Sequence, residues 1–119
     1  MDNWDSSITN CGSKYADDKQ LYFFPIVNVD NVDSMYAMFK NTNLVIVPNL
    51  HTPNLTSGTY LFSGCSSLIY ADLSNWTLSN IPNTNYMFNN CSSVTTIIFP
   101  RNFRPTSVTN MFNNCNSLI

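Results

Sequence analysis

The sequence predicts a β-rich solenoid of about four coils, with parallel strands on one face and short helices on the other. An irregular cap is expected over residues 1–20, and the solenoid over 21–119, open at its C-terminal end. Three observations carry this expectation. One short motif recurs, the apolar positions around it keep a fixed interval, and charge is almost absent outside the first third of the chain.

The motif reads "TYLFSGCSSL" at 59–68, "NYMFNNCSSV" at 85–94 and "TNMFNNCNSL" at 109–118. Upstream, three frames hold the same 15-residue interval: Phe24 to Phe39, Val47 to Phe62 and Leu73 to Phe88. Within each frame an apolar residue recurs three positions in (Val27, Leu50, Trp76), eight positions in (Val32, Leu55, Ile81) and just before the Phe (Met38, Leu61, Met87). The Phe column itself is Phe39, Phe62, Phe88 and Phe112, at separations of 23, 26 and 24. That is the period of a leucine-rich or related repeat, in which one unit cannot bury its own apolar face and neighbours must cover it.

Each element follows from this frame. "LIYADL" (68–73) and "VTTIIF" (94–99) place apolar residues at the first, fourth and sixth positions of a repeat strand. Leu68, Leu73 and Val94 then face inward. Ile69, Tyr70, Asp72, Thr95, Thr96 and Ile98 face outward, with Val45 and Ile46 as their counterparts one unit earlier. After the turn that places Trp76, "PNTNYMFNN" (82–90) predicts a short helix, with Asn83 and Thr84 as capping residues and Phe88 on its inner side. Only Asn or Gly occurs two positions after the Phe (Asn41, Gly64, Asn90, Asn114), which suits a left-handed residue at a helix C-terminus.

Cys65, Cys91 and Cys115 share one slot, occupied by Thr42 in the copy before. Side chains at equivalent positions point the same way, so a column of free, buried thiols is expected rather than a disulfide. Their spacing matches no zinc pattern. Cys11 reads either as an eroded copy of that slot or as a lone thiol. His51 is the only histidine and has no Cys or Asp beside it in sequence, which makes it a solvated turn residue rather than a catalytic base. Asp30 and Asp33 are too few for a calcium loop, and Asp33 is expected to cap a helix. Glycosylation sequons begin at Asn54, Asn75 and Asn90, matches expected by chance in so Asn-, Ser- and Thr-rich a chain.

Composition excludes several classes. Hydrophobic residues make up 44% and charged residues only 10% of the 119 positions, and the formal net charge is −2. Five basic residues give no stripe that could follow a phosphate backbone, so nucleic acid is not an expected partner. No apolar run reaches the roughly 20 residues of a membrane span. The N-terminus "MDNWDSSITN" lacks the basic and apolar regions of a secretory signal. No convergent acid, base or nucleophile set is visible, so neither an enzyme nor a cofactor nor a metal site is expected.

The stretch "LFSGCSSLIYADLSNWTLSNIPNTNYMFNNCSSV" (61–94) resembles the BspA-like leucine-rich-repeat surface proteins, in the variant whose units read M-F-x-x-C-x-S-L and continue into L-S-x-W. The residues on that motif include Phe62, Cys65, Leu68, Leu73, Ser74, Asn75, Trp76, Met87, Phe88, Cys91 and Val94. The resemblance implies an extracellular or surface-exposed, non-enzymatic repeat module that adheres to host or matrix components. The expected contact is a protein or glycan ligand on the outward strand positions. The alternative is a structural subunit of a virion or cell-surface appendage, with neighbouring subunits meeting the open last coil. Two departures stand out in the last full coil: "FPRNF" (99–103) is one residue longer than "LSNW", and the stretch from Phe103 to Phe112 is three shorter than that from Trp76 to Phe88.

Overall fold

The computed structural model describes residues 4–119. Its organisation is decided by where the backbone N–H groups go. In the segment 35–42 the N–H groups of Met38, Lys40 and Thr42 bond back to the carbonyls of Met35, Ala37 and Phe39, closing successive β-turns. The residues between them donate sideways: Met35, Ala37, Phe39 and Asn41 reach the carbonyls of Ser57, Thr59, Leu61 and Ser63 in the next copy, at 2.8 to 3.1 Å. The same alternation joins Tyr60, Phe62 and Gly64 to Asn85, Met87 and Asn89, and Thr84, Tyr86, Phe88 and Asn90 to Ser107, Thr109, Met111 and Asn113.

Left-handed residues make this alternation possible, because each reverses the direction in which the next peptide points. One set lies two positions after the aromatic slot, at Asp17, Asn41, Gly64, Asn90 and Asn114, with φ between 59° and 74°. A second set lies two positions before that slot, at Ser13, Ala37, Tyr60, Tyr86 and Asn110, with φ between 49° and 60°.

This arrangement overturns the expected fold class. Among the described residues there is no helix, and regular strand is confined to β1 (Tyr70–Asp72) and β2 (Thr96–Ile98) in one parallel sheet. The molecule is a compact globule with a radius of gyration of 13.0 Å and extents of 38 × 33 × 19 Å, not a β-rich, leucine-rich-repeat-like solenoid of coils with helices opposite the strands. The physical reason is the sideways donation: an N–H given to a neighbouring copy cannot close the i→i−4 bond of an α-helix. At 82–90, where a helix is predicted, Tyr86 and Asn90 are left-handed and the segment is two turns. Asn83 therefore caps no helix, and its Oδ1 instead accepts the N–H of Asn85 at 2.8 Å. Asp33 likewise caps none, and its carbonyl accepts the N–H groups of Thr56 and Ser57.

Residues 1–3 of the expected irregular cap lie outside the described residues. Cys11, Ser13, Tyr15 and Asp17 donate to Ser34, Tyr36, Met38 and Lys40 in the pattern of the later copies, and Tyr15 occupies the aromatic slot. This register puts Cys11 in the column of Met35, so it is not an eroded copy of the later cysteine slot.

The core is the repeated apolar frame. Val32, Met38, Leu50, Leu55, Leu61, Leu68, Leu73, Trp76, Ile81, Met87 and Val94 are all buried. Through them runs an aromatic column in which Tyr15, Phe39, Phe62, Phe88 and Phe112 follow one another with centroid separations of 6.1, 5.7, 5.5 and 6.3 Å and nearly parallel rings. Each fully buried Phe contributes about 1.5–3 kcal/mol of transfer free energy. Phe112 differs, being 41% exposed. Trp76 packs edge-on against Phe62 and donates its Nε1–H to the Pro48 carbonyl at 3.0 Å, which satisfies its one polar atom.

Candidate functional site

The outward strand positions are brought together by parallel pairing. Tyr70 pairs with Thr96, Ala71 with Ile97 and Asp72 with Ile98, and an isolated bridge adds Ile46 opposite Tyr70. Ala71 turns inward, fully buried, so Tyr70 and Asp72 project from the other side of β1, as strand alternation requires. Val45, Ile69 and Thr95 form an adjoining row, with the Ile69 N–H on the Val45 carbonyl at 2.9 Å and the Thr95 N–H on the Ile69 carbonyl at 3.1 Å.

The result is a face on which Ile46 (44% exposed), Ile69 (48%), Tyr70 (42%) and Ile98 (37%) remain open, while Val47, Leu68 and Ala71 beside them are buried. Thr95 and Thr96 are exposed, and Val45 and Asp72 are half-buried. Asp72 supplies the only charge among these positions. Hydrogen bonds from the side chain and backbone of Ser74 lower its pKa below the usual carboxylate value, so it stays ionised at neutral pH. Tyr22, which accepts the Val45 N–H on its carbonyl at 3.0 Å and is itself exposed, extends the face by one more copy. Sequence reasoning missed it. The signal was only partial: Tyr15 and Asp17 are spaced like Phe39 and Asn41, but that offset sets Gln20 and Leu21, not Leu21 and Tyr22, against Leu44 and Val45, so one extra residue hides the register.

The cysteine slot is built for thiols as donors. The Sγ–H groups of Cys65, Cys91 and Cys115 donate to the carbonyls of Phe39, Phe62 and Phe88, each at 3.1 Å and each in the preceding copy. All four cysteines are free. Burial pushes the Cys65 thiol up to about 11 and the Cys91 thiol higher still, with the neighbouring Cys65 and Cys115 adding to the shift on Cys91. Such protonated thiols are poor nucleophiles. Thr42, at the head of the column, donates its hydroxyl to the Phe39 carbonyl at 2.9 Å.

His51 does have an acid beside it in space: its Nδ1 lies 3.0 Å from Oδ1 of Asp30, both well exposed, a pairing no local spacing could reveal. Among the described residues no group of three or more His, Cys, Asp or Glu side chains is placed to hold a metal ion. Two of the three sequon asparagines spend their amide nitrogen on other copies, Asn54 on the Asp30 carbonyl and Asn75 on Oδ1 of Asn49. The Oδ1 of the third, Asn90, accepts the side chain of Asn114 at 2.7 Å.

A variable outward face carried on a recurring frame of turns, thiol or hydroxyl donors and aromatic rings defines a repeat protein whose copies are bound to one another by backbone and side-chain hydrogen bonds. The chain belongs to the family described as "Mycoplasma protein of unknown function, DUF285", whose model matches residues 9–118. That family is related to the BspA-like repeat proteins. Neither the curated proteins nor the solved structures contain a match to this chain.

Proposed function

We propose that this chain is a non-enzymatic binding module, exposed at a cell surface or outside the cell, that holds a protein partner on the face formed by Ile46, Ile69, Tyr70 and Ile98. The resemblance to the adhesive BspA-like proteins, finer than the family assignment, belongs to this same reading. The observation that carries it is the exposure of four large apolar side chains on three adjacent parallel segments, a kind of patch that marks contact sites. Aliphatic Ile side chains at three of the four places favour a protein over a glycan, because they offer sugar hydroxyls no hydrogen bonds. The ionised Asp72 beside Ile98 selects a partner with an apolar centre and a basic group at its rim.

The test uses immobilised extracellular-matrix proteins, with a glycan panel as the second arm. Tyr70→Ser combined with Ile98→Ser should abolish protein binding while leaving unfolding free energy within about 1 kcal/mol. Binding that survives the double change, or that is seen only on glycans, contradicts the reading. Loss of association on changing Leu118 and Ile119 instead favours the structural-subunit alternative.

A further inference from the structure

A second feature lies away from this face. Ser74, Trp76, Thr77, Leu78, Ser79, Pro100, Arg101 and Asn102 enclose an open cleft of about 220 Å³. Its origin is a break in the repeat. Val47 to Ser57 and Leu73 to Asn83 each advance ten positions between a strand-end residue and the next copy's bridging residue, whereas Phe99 to Ser107 advances only eight. The shortened connection leaves the 74–79 segment of the preceding copy partly uncovered.

At the same place the sequence changes character. Counting from Val47, Leu73 and Phe99, the third residue of the connection is Asn49, then Asn75, then Arg101. The two asparagines bond side chain to side chain at 2.9 Å, a contact within the framework. Arg101 replaces that amide with a cation, and the exposed guanidinium-bearing residue lines the cleft. No carboxylate lines it. Asp72, the nearest acid along the chain, is engaged by Ser74 N–H at 2.9 Å.

We propose that this cleft binds the carboxylate-bearing unit of an acidic glycan, with Arg101 pairing the carboxylate. One guanidinium matches a monoanion, and its planar fork suits a carboxylate. Thr77, Ser79 and Asn102 supply neutral donors and acceptors for ring hydroxyls, while half-buried Pro100, backed by the buried Trp76 and Leu78, presents the apolar surface that a sugar's C–H face requires. The volume is below that of a drug-sized pocket and suits one sugar ring. An acidic peptide side chain would meet the guanidinium but gain none of the hydrogen bonds that ring hydroxyls make with the rim. This site is independent of the protein-binding face.

The experiment is a ¹H–¹⁵N titration of the 119-residue chain with glucuronic acid and N-acetylneuraminic acid, set against glucose, N-acetylglucosamine, acetate and an aspartate-containing peptide. The acidic sugars should shift the amide signals of Thr77, Ser79 and Asn102. Arg101→Ala should weaken them by about tenfold or more, as expected for loss of a charged hydrogen bond. Arg104→Ala should change nothing. The proposal is overturned by neutral sugars binding as well as acidic ones, by acetate or the peptide binding as tightly, by an Arg101→Ala variant of unchanged affinity, or by no shifts at millimolar ligand.

Discussion

Gly64 offers the sharpest test of the turn-based framework. It sits at φ 74°, and a Cβ built on it would lie 1.9 Å from Oδ1 of Asn41 in the preceding copy. Gly64→Ala therefore incurs two separate penalties. The left-handed conformation costs an L-residue about 1–2 kcal/mol. To clear the methyl group the Asn41 carboxamide must also rotate away, breaking its 3.0 Å hydrogen bond to Oδ1 of Asp17, a loss of about 0.5–1.5 kcal/mol. Restriction of the unfolded chain by Ala returns roughly 0.4–1 kcal/mol, so the net expectation is a destabilisation of about 2 kcal/mol. Asn41→Gly removes the obstructing side chain while tolerating the left-handed φ of 59° at that position. In that background Gly64→Ala should cost only the conformational part, giving a coupling of about 1 kcal/mol in a double-mutant cycle read from urea denaturation. An unchanged midpoint for Gly64→Ala, or an equal cost in both backgrounds, would refute the placement of these two residues against each other.

The aromatic column should be unequal along its length: Phe62→Ala or Phe88→Ala should cost about 3–5 kcal/mol, and the half-exposed Phe112→Ala clearly less, with equal small losses in urea titrations counting against the packing. The thiols give a pH dependence. Burial raises Cys65 from the ordinary 9.0 to about 11, so the native state retains a proton that the unfolded state releases first, and this stability is present below pH 9 and lost as pH rises toward 11. Relative to a Cys65→Ser variant, the wild-type chain should lose about 2–3 kcal/mol more across that window, and parallel alkaline titrations of the two would count against a buried thiol. Native-state labelling followed by mass analysis should modify half-buried Cys115 before Cys65 and Cys91, and rapid labelling of the latter pair would contradict their burial.

How much of this was legible depends on which residues carried the signal. The apolar frame was readable because burial demands it in nearly every copy: Leu50 and Trp76, Val32, Leu55 and Ile81, and Met38, Leu61 and Met87 are all buried, and only Val27, in the slot of Leu50 and Trp76, is half-buried. The outward character of Tyr70 and Ile98 followed from strand alternation. The left-handed slot after the Phe was visible in Asn41, Gly64, Asn90 and Asn114, since those residue types accept that conformation at least cost. The matching slot before the Phe was not, because Ala37, Tyr60 and Tyr86 do not advertise a positive φ. With one left-handed residue the segment reads as a helix that ends at Asn90. With two it is a run of turns. The compensation at Tyr60 and Tyr86 is itself long-range: their rings stack at 4.6 Å across copies, a contact worth about 0.5–1.5 kcal/mol that only the folded register creates. The cleft was legible only as irregular spacing after Phe99, with no indication that the irregularity leaves a space.

Long-range HNCO spectroscopy, which detects scalar coupling through a hydrogen bond, tests the framework most directly. The account predicts correlations from the amide nitrogen of Phe39 to the carbonyl carbon of Leu61, from Phe62 to Met87, and from Phe88 to Met111. Correlations from these amides to carbonyls four residues earlier in their own segments would mean that the copies contain helices and would contradict it.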